Sequence, residues 1–126
     1  MDAVLALKTW AVVGLGNNPG RAAFGVAKLL QDKGHTIIPV YPRAEVVHGE
    51  IGYKTLSKIP GSVDVVDCFV NSTLVGKVVD EAIAIGAKAV WLQLDVIDTD
   101  AIARAQAAGL LTVMDRCPAI EYRARA

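Results

Sequence analysis

Five short runs rich in Val, Ile and Leu, with longer segments between them, constrain the fold of this chain more than any other feature. They are Thr9 to Leu15 (TWAVVGL), Thr36 to Tyr41 (TIIPVY), Val63 to Val70 (VDVVDCFV), Ala89 to Leu94 (AVWLQL) and Leu110 to Met114 (LLTVM). None shows the in/out polar alternation of a sheet wet on one side, so each reads as a strand covered on both faces. Three of the segments between them carry an amphipathic, helical period. From about Gly20 to Lys33, the residues Ala23, Val26, Ala27 and Leu30 share one stripe, which Gly34 ends. From Ser72, a candidate N-cap, to Ile85, a second stripe holds Leu74, Val75, Val78, Val79 and Ala82, and Gly86 is its stop signal. The third runs from Asp98–Thr99 to Gly109, with Asp100 placed to pair with Arg104.

Strand, helix and strand repeated in this way give a parallel sheet with right-handed crossovers. Residues 44–61 break the rhythm, since Gly49, Gly52, Pro60 and Gly61 leave no room for a long helical pattern. The sequence predicts one α/β domain over residues 1–126. Its expected form is a Rossmann-like, doubly wound, open sheet of five strands in the order 3-2-1-4-5, with helices on both faces. In such sheets a ligand lies outside the carboxyl ends of the strands at the switch point, here expected between the first and fourth strands. The polar tail Glu121 to Ala126 is expected to fray.

Composition narrows the class of partner. Thirteen basic and thirteen acidic residues cancel across 126 positions. No global field then attracts nucleic acid or an acidic membrane, and a homodimer or a protein partner is left open. Hydrophobic residues at 53% supply a core and argue against disorder. No apolar run reaches the roughly 18 residues that span a bilayer, and Met1 to Lys8 lacks the features of a signal peptide. The expected location is cytoplasmic. Cys68 and Cys117 fit neither a disulfide framework nor a metal knuckle.

The chemistry gathers at strand ends. The first strand runs into Gly14-Leu15-Gly16-Asn17-Asn18-Pro19-Gly20-Arg21, a loop of residues that tolerate positive φ and let backbone amides approach a phosphate. The helix behind it presents free amides and its positive dipole end to the same point. The glycine spacing differs from the dinucleotide pattern G-x-G-x-x-G. Strand 2 ends in Val40-Tyr41-Pro42-Arg43, without the carboxylate that an NAD site wants. A guanidinium suits an extra ribose phosphate, whether the 2′ group of NADP or the 3′ group of coenzyme A. Tyr41 and Pro42 offer a flat wall for adenine. Phe69, Val70 and Asn71 end the third strand, and Gln93 places an amide at the end of the fourth. Asp115 and Cys117 flank Arg116 at the last strand's end. There Asp115 is expected to pair with Arg116, and Cys117 is a candidate thiol. Neither His35 nor His48 joins a triad or metal cluster, so no catalytic or metal site is assigned.

The runs VVGLGNNPGR, IIPVYPR, VDVVDCFV, EAIAIGAKAVWLQL and VMDRCP together resemble the small single-domain CoA-binding proteins of bacteria. These are similar to the N-terminal CoA-binding domain of the succinyl-CoA synthetase alpha subunit. The resemblance extends from Trp10 to Pro118. It implies that Gly14 through Arg21 hold the pyrophosphate and that Val40 to Arg43 flank the adenosine and its 3′-phosphate. Phe69, Val70 and Asn71 then form the opposite wall, with Gln93 near the pantetheine arm. Relatives often read G-A-S where this chain has Gly14-Leu15-Gly16, so one phosphate donor is lost. The synthetase's phosphohistidine belongs to a second domain with no counterpart in these residues. The expected function is therefore non-catalytic binding of CoA or an acyl-CoA. The alternatives are a small NADP-binding enzyme, a CoA-thiol enzyme using Cys117, and a partner-binding domain with a degenerate CoA site.

Overall fold

A computed structural model describes all 126 residues. The five expected strands form at Thr9–Val13 (β1), Thr36–Val40 (β2), Val65–Cys68 (β3), Ala89–Leu92 (β4) and Leu111–Val113 (β5). All their pairings are parallel. Helices cover the sheet at Asp2–Leu5 (α1), Ala22–Asp32 (α2), Val75–Ala84 (α3), Thr99–Ala107 (α4) and Pro118–Ala124 (α5). None is long and apolar enough to cross a membrane.

Side-chain alternation along each strand divides the core into two layers. Trp10, Val12, Val65 and Trp91 pack under α2, α1 and α5, while Ala11, Val66, Val90 and Leu92 pack under α3 and α4. Both faces of β3 and β4 are buried along their whole length, which is why their sequences lack polar alternation.

The strand order is β2-β1-β3-β4-β5, and the expected 3-2-1-4-5 is incorrect. Pro39 explains the difference. The Pro39 carbonyl accepts from the Tyr53 amide at 2.9 Å on the outer flank of β2. In a strand the N and C=O of one residue point to the same side, so the proline nitrogen also faces outward. A further strand there would meet a missing donor, which confines β2 to the edge. β3 therefore takes the place beside β1, and the switch point lies between β1 and β3 rather than between the first and fourth strands.

Three local expectations also change. Ser72 does not cap α3: its hydroxyl donates to the Asp95 carbonyl and accepts from the Ile97 amide, tying the β3 and β4 ends together. Arg104 pairs with Asp80 on α3 at 2.9 Å instead of with Asp100, because α3 and α4 lie side by side. The tail is folded as α5, not frayed. His35, kept neutral by burial, donates from Nδ1 to the Leu7 carbonyl at 2.8 Å and accepts from the Tyr122 hydroxyl at Nε2. Those bonds fasten α5 to the start of the chain.

Candidate functional site

The loop after β1 is held in place by its own backbone and by two asparagines. Gly14 adopts φ +99° and donates to the Val40 carbonyl at 2.8 Å. Its Cα hydrogens face β3 so closely that a Cβ would stand 2.6 Å from the Phe69 carbonyl oxygen. Asn18 Oδ1 accepts from the Gly20 amide at 2.9 Å, and Asn17 Nδ2 donates to the Val46 carbonyl at 2.8 Å. Arg21 is the extended N-cap of α2 and supplies no side-chain cap, so first-turn amides of that helix are left for a ligand.

Three adjoining cavities open at the carboxyl end of the sheet. A polar one of about 330 Å³ is lined by Gly14, Gly16, Asn17, Asn18, Arg21 and Arg43, among others. A second, of about 500 Å³, lies between the β2 end (Val40, Tyr41, Pro42) and the β3 end (Phe69, Val70, Asn71). A third, of about 420 Å³, runs from Ala22 and Ala23 past Phe69 and Gln93 to Cys117. Arg21 lines all three. The switch point between β1 and β3 thus opens into one branched trench with an arginine at its junction.

Most of the residues singled out from the sequence therefore come together here, but Leu15, Pro19, Gly20 and Asp115 line none of the cavities. Leu15 is fully buried in the core beside Val12 and Leu30, so its isobutyl group does not block the loop and does not face the trench. Pro19 is exposed and walls none of the cavities.

Gln93 reaches the third cavity with only 6% of its surface exposed, and its Oε1 has no hydrogen-bond partner. The expected Asp115–Arg116 pair does not form. Asp115 instead turns through φ +60° and accepts from the Asp95 amide at 2.8 Å, joining the β4 and β5 ends. Cys117 is 9% exposed and walls the third cavity, while burial raises the Cys68 thiol well above its usual range. In native protein at neutral pH, iodoacetamide should label Cys117 slowly and Cys68 only on unfolding. Native labelling of Cys68 at the rate of a free thiol would contradict its burial.

Sequence reasoning missed Glu45, Lys54 and Thr55, all of which line the trench. Their segment has no periodic pattern. It is folded back by a close approach at Gly52, where a Cβ would overlap the Glu45 carbonyl oxygen at 2.1 Å. Asp67 was also overlooked. It is fully buried on β3, no group bonds either oxygen, and burial raises its pKa well above the usual carboxylate range.

Residues 8–123 match the family model described as CoA binding domain, and the chain belongs to that family. The Bacillus subtilis protein YneT is 33% identical over 110 residues, covering 87% of this chain and 82% of YneT. A solved hypothetical protein from Pyrococcus horikoshii OT3 is 36% identical, with a TM-score of 0.92 over 98% of this chain and 87% of that one. The dinucleotide-forming acetyl-coenzyme A synthetase 1 of Ca. Korarchaeum cryptofilum shares the fold, at 21% identity. The match has a TM-score of 0.78 over 90% of this chain and 27% of the synthetase.

Proposed function

We propose that residues 1–126 act as a single cytoplasmic module that binds coenzyme A or an acyl-CoA in the branched trench without transforming it. One observation carries this reading: Arg21 stands where a polar, loop-lined chamber meets two more apolar cavities. CoA has the matching distribution of polarity, with a diphosphate between an adenosine and a pantetheine arm. In this reading the amides of the Gly14–Arg21 loop and of the α2 first turn hold the diphosphate. Tyr41, Pro42, Phe69 and Val70 flank the adenosine, Arg43 meets the 3′-phosphate, and Gln93 offers its unpaired amide to the pantetheine arm. Membership of the CoA binding domain family and the shared fold of an acetyl-coenzyme A synthetase support the choice of ligand.

Thermal unfolding with a ligand panel tests the assignment. CoA at about a hundred times its Kd should stabilise the protein by about 2.7 kcal/mol. Dephospho-CoA should bind at least tenfold more weakly, the worth of one charge-assisted phosphate contact. Arg43→Ala should remove that difference. Strong stabilisation by NADPH with no response to CoA would reverse the assignment, and equal responses to CoA and dephospho-CoA would remove Arg43 from its role.

A further inference from the structure

The end of β2 lacks a carboxylate in sequence, yet the fold places one over the phosphate loop. Glu45 lines the polar chamber with Arg21 and Arg43, and its Oε1 lies 3.2 Å from where a Cβ of Gly16 would stand. The Tyr41 ring closes on the same point at 3.4 Å. This carboxylate forms neither an ion pair with either arginine nor a hydrogen bond with any other group of the protein. Its backbone, by contrast, is clamped. The Ala44 amide donates to the Tyr41 carbonyl at 2.9 Å, Asn17 holds the Val46 carbonyl, and Gly52 packs on the Glu45 carbonyl from behind.

An ionised carboxylate only accepts hydrogen bonds. In a chamber shared with two guanidinium groups suited to phosphate, it calls for a hydroxyl donor close to a phosphate and repels a second phosphate at that spot. Resting on the CoA reading above, we propose that Glu45 accepts from the free ribose 2′-hydroxyl of an adenosine 3′-phosphate. It thereby selects 3′-phosphorylated nucleotides and rejects 2′-phosphorylated ones. The arginine alone left the choice between a 2′- and a 3′-phosphate open. A carboxylate in the same chamber makes the choice, because the sugar position facing Glu45 must carry a donor and no anion.

Calorimetric titration with three nucleotides tests this on the parent and on Glu45→Gln. The probes are adenosine 3′,5′-bisphosphate, adenosine 2′,5′-bisphosphate and 2′-deoxyadenosine 3′,5′-bisphosphate. The parent should prefer the 3′,5′ isomer over the 2′,5′ isomer by about thirtyfold, as one hydrogen bond to a charged acceptor and one removed repulsion allow. It should lose about tenfold on the deoxy probe. Glu45→Gln should bring the two isomers within about threefold, chiefly by tighter binding of the 2′,5′ isomer. A variant that keeps the parent's discrimination, while both proteins bind CoA, overturns the role of Glu45 and leaves the CoA site intact. Failure of the parent to bind CoA and all three probes overturns both.

Discussion

Gly14→Ala is expected to lower the stability of the protein by about 3 kcal/mol and to abolish measurable CoA binding. Two independent penalties act at this position. Its backbone sits at φ +99°, where a side chain is strained whatever space surrounds it. A Cβ would also stand 2.6 Å from the Phe69 carbonyl oxygen, which is backbone and cannot swing aside. Relief requires the ends of β1 and β3 to part, and those ends form the switch point and contribute to all three cavities. Urea unfolding combined with CoA titration checks both losses. Gly25→Ala in α2 is the control, since nothing lies within 4 Å of its added Cβ. Relief of glycine's helix penalty should stabilise that variant by roughly 0.5–1 kcal/mol. A Gly14→Ala protein as stable as its parent would mean the loop is not held as described.

Asp67→Val is expected to act in the opposite direction, stabilising the protein by about 2 kcal/mol at pH 7. Both carboxyl oxygens of Asp67 are buried without a partner between Val12 and Trp91, its register neighbours on β1 and β4. Burial raises its pKa well above the usual range, so the folded state keeps a proton that the unfolded chain releases. The sign follows from proton linkage. The carboxyl's contribution is whole below the unfolded value near about pH 4 and is lost as pH rises toward the folded value, by at most about 1.4 kcal/mol per unit. Asp67→Val removes this dependence. The gap between variant and parent should therefore widen from acid to neutral pH, with the melting temperature rising about 3–5 °C per kcal/mol. A constant gap across that range, or a destabilised variant, would show that Asp67 has a partner.

An unpaired acid of this kind could not be recognised in VDVVDCFV: a strand covered on both faces was expected there, but whether any group reaches the Asp67 carboxyl depends on packing between distant segments. The same holds for the strand order. Pro39 went unread as an edge signal, since the apolar run around it looks like the other four, and nothing local states which neighbour β3 will choose. Glu45 is a third case. Five residues beyond β2 it is an ordinary loop acid, and only the close packing of Gly52 against its backbone turns it onto Gly16. Leu15 shows the converse. Read as part of a phosphate loop it has no role, whereas one residue of alternation past Gly14 sends its side chain into the core.

By itself the sequence determined the parallel α/β class, the position of each strand, the glycine loop that follows the first strand, and the CoA-binding family. Those properties rest on short-range periodicity, turn chemistry and motif. The tertiary structure alone decided the order of the strands, the junction of three cavities at Arg21, the carboxylate over the loop and the unpaired acid in the sheet. Each of these is a contact between segments far apart in the chain, fixed by packing and hydrogen-bond geometry that no local pattern encodes.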